Sequence, residues 1–474
     1  MGDMERIESI PQATWDIIPP EAQAVVAAVF AALEARIAAL EAKLAEAPKT
    51  PRNSSRPPSS EHPHARPTAN RAASKKRRGG QSGHTRHQRD LIPPEQCAEV
   101  VPLHPEACRR CGEALQGDDP APVRHQVWDV PPIRPIVTEY QRHRRTCPGC
   151  GVTTCAPLPA GVPVGTAGHR LTALTALLMG ACRQSKRRVA WFLQQVLGQP
   201  CSTGWVVKLQ QQAAAALEPV HRELTAALTT QPVLGIDETP SREAQNKAWL
   251  WAFVARRFTV YEIRPTRKAT ILAERLTADF AGVVNCDRAR MYAFLPRVQG
   301  CWAHLTRDFQ ALIDHDDGRV KRLGHDLMRP TRELFRLWAR HRDGTLDRPT
   351  WVRSMVAIRT RVEFLLLRGR FSGHRRLMGM CKDLYHHRDR LWTFVESEAV
   401  EPTNNASERA LRPAVIWRKL SFGTQSGEGS RFVERILTTV ETCRQQGRDV
   451  LAFVTDAVQA HHAHQPAPSL LVGV

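Results

Sequence analysis

Three carboxylates in this 474-residue chain stand where acids can do metal-ion chemistry. Asp237 ends the short apolar run 233–236, and Asp287 ends the run 282–286. In a mixed sheet, residues just past strand ends line one crevice. Two carboxylates meeting there repel unless they are protonated or metal-bound, and magnesium or manganese takes such hard oxygen ligands readily. Completing two metal sites needs a third acid. The best candidate is Glu408, in Glu401-Pro-Thr-Asn-Asn-Ala-Ser-Glu408-Arg-Ala-Leu-Arg-Pro413. Asn404 or Asn405 can cap a helix there, whose first turns set Glu408 beside Arg409 and Arg412. An acid beside guanidinium groups suits a metal next to a phosphate. Plainer readings stay open. Asn405 and Glu408 have capping-box spacing, Asp237 and Asp287 can be turn formers, and Glu238 can exchange roles with Asp237. Cys301-x-x-His304, close by, reads as a structural contact or as half of a metal site.

A second constellation is made of thiols. Cys108-x-x-Cys111 and Cys147-x-x-Cys150 bracket 35 residues, with Gly112 after one pair and Gly149 inside the other. Two such knuckles complete a tetrahedral shell, and four thiolates leave no open position, so the expected ion is a structural zinc. Segments 123–130 and 133–140 are strand-like, and a hairpin there would bring the pairs together.

The elements that must position these groups follow from pattern. Segments 248–254 and 258–263 read as strands, 268–279 as a helix, 298–302 as a strand and 303–313 as a helix. Three adjacent strands followed by alternating units match a ribonuclease-H-like mixed sheet. Helical segments over 318–398 interrupt it, with Trp351, Met355, Ile358, Val362 and Leu365 on one face. Upstream, 187–197 reads as a helix, 198–201 as a turn and Ser202 as the next N-cap. That is a helix-turn-helix outline, shared equally by two packed core helices. In 21–46, Val26, Phe30, Leu33, Ile37, Leu40 and Leu44 recur at steps of 4 and 3, a coiled-coil seam that favours self-association.

Charge agrees with a nucleic-acid partner. There are 67 Lys and Arg against 47 Asp and Glu, a net charge of +20. Segment 47–92 is a low-complexity linker carrying Lys75, Lys76, Arg77 and Arg78, a run able to neutralise phosphates without reading sequence. No apolar run reaches the roughly 18 residues a membrane span needs, and the N-terminus lacks a signal-peptide pattern. Most of the twelve cysteines are scattered singly, which favours reduced thiols over a disulfide framework.

Taken in order, these motifs resemble the transposases of the insertion sequence 66 family, over nearly the whole length. Asn53-Ser-Ser-Arg-Pro-Pro-Ser-Ser60 and Arg78-Gly-Gly-Gln-Ser-Gly-His84 look like the family's linker, and the two Cys-x-x-Cys pairs like its zinc-binding domain. Ile236-Asp-Glu-Thr239 looks like its first acidic motif, and Gly300-Cys-Trp-Ala-His304 like the segment after its second aspartate. Asn404-Asn-Ala-Ser-Glu408-Arg-Ala-Leu-Arg412 and Arg418-Lys419 look like its last motif. The family usually has Asp-Gly-Tyr at the second acid. Here the chain reads Asp287-Arg-Ala-Arg-Met-Tyr292, with Arg288 replacing glycine.

The resemblance implies a ribonuclease-H-like catalytic domain with a helical insertion before the last acid, and Asp237, Asp287 and Glu408 as the triad. It implies two catalytic Mg2+ or Mn2+ ions, a structural Zn2+, and double-stranded DNA (element ends and target) as substrate. Arg409, Arg412, Arg418 and Lys419 would ground phosphate oxygens. The expected protein is multidomain α+β, a dimer or higher oligomer, nucleoid-associated in a bacterial cytoplasm. The expected divisions are 1–46 (coiled coil), 47–92 (linker), 93–160 (zinc-binding), 161–230 (helical), 231–316 and 401–460 (catalytic), 317–400 (insertion) and 461–474 (tail). The competing reading is a zinc-containing DNA-binding protein or a decayed, non-catalytic transposase.

Overall fold

The computed structural model describes residues 12–44, 50, 53–54, 89–277 and 279–471. The basic run Lys75, Lys76, Arg77 and Arg78 lies outside the described residues.

A short helix α1 (Gln12–Trp15) precedes the long α2 (Pro20–Leu44). On α2, Phe30, Leu33 and Ile37 of the expected seam are exposed. The side chains of Leu40 and Leu44, also in that seam, lie outside the described residues.

The cysteine region holds β1 (Arg144–Thr146) and β2 (Thr153–Cys155), an antiparallel pair framing Cys147 and Cys150. A single bridge between Ala107 and Ala114 frames Cys108 and Cys111 in the same way. The hairpin expected over 123–140 does not form. That stretch carries no strand, and Val123, Val127, Val130, Ile136 and Val137 are exposed. Pro131, Pro132 and Pro135 remove three backbone donors, so an extended conformation there cannot build a continuous ladder.

Three helices follow: α3 (His169–Gly180), α4 (Lys186–Leu197) and α5 (Thr203–Ala226). The α4–α5 turn is as expected. Gly198 closes α4 in the left-handed region at φ 63°, and the Ser202 hydroxyl accepts from the Trp205 amide at 3.1 Å. Helix α5 buries Val206, Ala213, Leu217, Val220 and Leu224 in the main core, a packing that both readings of this helix pair allow.

The central sheet holds β3 (Val233–Glu243), β4 (Asn246–Val254), β5 (Thr259–Arg264), β6 (Val283–Cys286) and β7 (Val298–Gly300). Its spatial order is β5-β4-β3-β6-β7. The first three strands are antiparallel neighbours, and β6 and β7 extend the sheet parallel to β3. The helix expected over 268–279 is only α6 (Ala269–Ala273). Its apolar spacing reflects successive tight turns that bury Ile271, Leu272, Leu276 and Phe280.

Helix α7 (Trp302–Ile313) leaves β7 and leads into the insertion: α8 (Gly318–Arg342), α9 (Arg348–Arg370), α10 (Arg375–His386) and α11 (Thr393–Glu396). Trp351, Met355, Ile358, Val362 and Leu365 are all buried there, in a core of the insertion's own that also takes Trp302 and Val283.

The chain returns through α12 (Asn405–Ser421), α13 (Gly427–Gln446) and α14 (Val450–His462). The two faces of the sheet are covered differently. Leu234, Ile236, Trp251 and Phe253 face the main core with α3, α5 and α14. Leu250, Ala252, Tyr261 and Ile263 face Ala410, Leu411 and Ala414 of α12. Strand alternation makes this division unavoidable.

Edge strand β5 would expose a row of unpaired amides. Helix α13 satisfies them. Thr442 accepts from the Thr259 amide at 3.2 Å, Thr438 from Tyr261 at 2.9 Å, and Glu434 from Ile263. These acceptors recur every fourth residue along one face of the helix.

Candidate metal centre and its supports

The segment that carries Glu408 back to the sheet is tied down from three sides. Asn285 on β6 donates to the carbonyls of Glu401 at 2.8 Å and Thr403 at 3.0 Å. The Trp302 amide at the start of α7 donates to Pro402 at 2.9 Å. Asn404 donates through Nδ2 to the Ile236 carbonyl on β3 at 2.8 Å, and its Oδ1 accepts from Ser407 at 2.6 Å. Asn404 holds the N-cap position, but its side chain caps no amide of the helix; it fastens α12 to β3. Gly235 makes the close approach possible, because a Cβ there would collide with the Ser407 hydroxyl.

Helix α12 thus lies along the face of β3 that presents Gly235, Asp237 and Thr239. Asp237 is not at a strand end, as expected, but within β3, which continues to Glu243. What ends beside it is the pairing with β6, whose last partner is Gly235. Asp287 follows β6 directly, and its Oδ1 accepts from the Ala289 amide at 2.8 Å, a local turn bond. Glu408 sits in the first turn of α12.

The three acids share one electrostatic neighbourhood. Burial, then Glu238, Asp287 and Glu408, push the Asp237 carboxyl up to about 8. No cationic side chain pairs with Asp237 among the described ion pairs. Its Oδ1 accepts only the Glu238 amide, at 3.0 Å. A carboxylate crowded by other carboxylates and lacking a cation is a donor set that fits a hard divalent ion.

Glu238, unlike Asp237, is paired with a cation. Its side chain, 2% exposed, pairs with Arg267 at 2.6 Å and accepts from the Tyr292 hydroxyl at 2.8 Å. Arg267 also comes within 4.0 Å of Asp287 and lies over the Trp249 ring. Arg288, the departure at the second acidic motif, turns away from the acids toward Asp308 at 2.7 Å and Asp383 at 3.6 Å. A cavity of about 580 Å3 opens beside these groups, lined by Arg267, Asp287, Arg288, Met291, His304 and Asp308.

Glu408 is held by Arg307, which the sequence reading did not assign. Arg307 Nη2 lies 3.2 and 3.4 Å from its two oxygens, and His304 Nδ1 lies 3.7 Å from Oε1. A signal was present: Cys301, His304 and Arg307 recur every third residue, so α7 presents them on adjacent turns.

Among the cations read as phosphate contacts, Arg409 and Arg412 are exposed on α12. The Arg418 guanidinium donates to Thr239 Oγ1 at 3.1 Å and to the Pro240 carbonyl, which ties the end of α12 to β3. Lys419 is exposed near the end of the helix.

Each thiol pair forms a knuckle with the same backbone bonds. Gly112 donates to the Cys108 carbonyl and Gly151 to the Cys147 carbonyl, both at 2.9 Å. These glycines hold φ of 78° and 72°, the left-handed region where a Cβ is costly. The repeated device is therefore the glycine after each pair, not Gly149. Amides of Cys111 and Arg110 lower the Cys108 thiol, and amides of Cys150 and Gly149 lower Cys147. Local amides thus favour the thiolate at the first cysteine of each pair, as a zinc donor requires. The pairs do not close on a common point. Among the described residues, the cluster of three ligand groups within 4.8 Å of one another is Cys301, His304 and Glu408.

Comparison with known proteins agrees with these features. A family model described as "zinc-finger binding domain of transposase IS66" matches residues 105–151, spanning both knuckles. A family of unknown function matches residues 10–90. The chain is 28% identical over 278 residues to an uncharacterized protein, y4qI, of Sinorhizobium fredii; the match covers 53% of this chain and 50% of that protein. The chain thus matches about half the length of this curated relative. The model described as "Transposase IS66 family" matches residues 165–431, from the helices before the sheet to the start of α13 and through Asp237, Asp287 and Glu408. The chain belongs to the transposase IS66 family.

Proposed function

We propose that this chain is a DNA transposase of the DDE type, in which Asp237, Asp287 and Glu408 hold two Mg2+ or Mn2+ ions. The observation that carries this reading is positional. Asp237 lies on β3 where its pairing with β6 stops, Asp287 follows β6, and the segment before Glu408 is bonded to β3, β6 and α7 at once. The strand order, three antiparallel strands then two parallel ones, supports a ribonuclease-H-like catalytic domain interrupted by α8–α11.

Asp237, Asp287 and Glu408 would hold the divalent ions, which when bound would supply activation of the attacking oxygen and stabilisation of the leaving one. The chain's own residues do the rest. Burial and the neighbouring acids favour the protonated form of Asp237 in the free chain, and a bound cation would favour its carboxylate. Arg307 orients Glu408. Arg267 neutralises Glu238 and keeps it from competing. Arg409 and Arg412 ground phosphate oxygens of the DNA backbone.

The first reaction nicks the element's ends; the second joins the freed 3′ hydroxyl to target DNA. Lys75, Lys76, Arg77 and Arg78 add sequence-independent affinity, the four finger thiols hold a structural zinc, and α2 pairs with a second copy. In this reading the units divide as 1–46, 47–92, 93–160, 161–230, 231–316 with 401–460, 317–400 and 461–474.

The testing assay is magnesium-dependent strand transfer with the element's own ends, scoring cleavage and joining separately. A chain that binds the ends but neither cuts nor joins them would be the non-catalytic, DNA-binding alternative.

A further inference from the structure

We propose a second metal site in this chain, distinct from the finger, in which Cys301, His304 and Glu408 bind one zinc-class cation. It shares Glu408 with the reading above, but it stands on the thiol and imidazole and does not require Asp237 or Asp287 to hold ions. Three observations converge. Ligand atoms of the three residues all lie within 4.8 Å of one another. The His304 Nδ1 and Glu408 Oε1 atoms are 3.7 Å apart, too far for a hydrogen bond. Co-ligands placed about 2.0–2.3 Å from a tetrahedral ion sit roughly 3.3–3.6 Å apart, close to this spacing. The Nδ1 atom is buried and has no hydrogen-bond partner, which calls for an explanation such as an ion.

The surroundings are those of a supported ligand set. Cys301 is fully buried between β7 and α7, and the Asn404 amide points at its sulfur at 3.2 Å. Burial raises the Cys301 thiol, and the Asn404 amide works against that rise. Arg307 keeps the Glu408 carboxylate oriented from α7. One sulfur, one nitrogen and one oxygen suit zinc, whereas magnesium takes oxygen alone. Three protein ligands leave the fourth tetrahedral position open, toward the cavity that His304 lines with Asp287.

The test is the zinc content of the full chain, measured by atomic emission after metal-free purification and reloading with one probe, Zn2+. The finger is removed by Cys108→Ser, Cys111→Ser, Cys147→Ser and Cys150→Ser together. The expected result is two zinc per chain in the native protein, one in the finger variant, and none when His304→Gln is added. Reloading with Co2+ should give the finger variant a thiolate-to-cobalt charge-transfer band that His304→Gln abolishes. A finger variant that holds no zinc, or one whose zinc survives His304→Gln, overturns the proposal. If His304→Gln unfolds the chain, the finger variant's zinc count and cobalt band decide alone. Asp237→Asn should leave both zinc equivalents in place while abolishing strand transfer, so failure of the catalytic reading and failure of this site are told apart.

Discussion

The Asn404 side chain donates to the Ile236 carbonyl at 2.8 Å, one residue before Asp237, and so fixes where α12 begins relative to β3. Removing it leaves a buried carbonyl unpaired and frees the Ser407 hydroxyl as well. Asn404→Ala should cost about 1–3 kcal/mol of stability, read from urea unfolding. Strand transfer should fall by more than the loss of folded protein explains, because Glu408 follows in the same turn. Unchanged strand transfer by the folded fraction would contradict this positioning role.

Gly235 is the matching constraint on the strand. A Cβ there meets the Ser407 hydroxyl and crowds Asn404 Oδ1 at 3.3 Å. Gly235→Ala should destabilise by about 1–3 kcal/mol through overpacking and reduce activity with it. A melting temperature within a degree of native would show that α12 does not press on β3.

The Asp237 pKa, raised to about 8, has a direct consequence for pH dependence. A group whose folded pKa lies above its unfolded value stabilises the fold below the unfolded pKa and loses that contribution as pH rises through the folded one. In EDTA, the stability Asp237 contributes should therefore be present near pH 4 and gone above about pH 8. Asp237→Asn should stabilise the metal-free chain at pH 8 by about 1–3 kcal/mol, after allowance for solvent screening, and not at pH 4. Excess Mg2+ should shrink the difference. Equal melting temperatures for both proteins at pH 8 in EDTA would remove the charge crowding from the account.

Helix α13 guards the β5 edge through Thr442, Thr438 and Glu434. Thr438→Val keeps the shape and deletes the acceptor for the Tyr261 amide. It should cost about 1–3 kcal/mol in denaturant unfolding, without changing the activity of the folded fraction. A cost near zero would mean that the amide finds another partner.

Much of this arrangement was legible in the sequence because it rests on local signals. The Gly198 and Ser202 boundary between α4 and α5, the strands around Asp237 and Asp287, and the apolar face of α9 each follow from a turn residue or a period. What the sequence did not disclose depends on contacts between distant segments. Arg418 reads as a free cation on a helix, and only the fold brings it onto Thr239. Arg307 gains its meaning from Glu408, 101 residues away. Asn404 looks like a cap and serves as a tie to β3. The 123–140 hairpin failed for a local reason, since its prolines were visible and outweigh its β-branched residues.

The central claim is that Asp237, Asp287 and Glu408 act on a shared divalent cation pair. Manganese titration of the full chain by calorimetry, with element-end DNA present and zinc retained only in the finger, tests it most directly. Native protein should take up manganese, and Asp237→Asn, Asp287→Asn and Glu408→Gln should each weaken uptake at least tenfold while still binding the DNA. Manganese binding of native strength by any one of the three variants would contradict the claim.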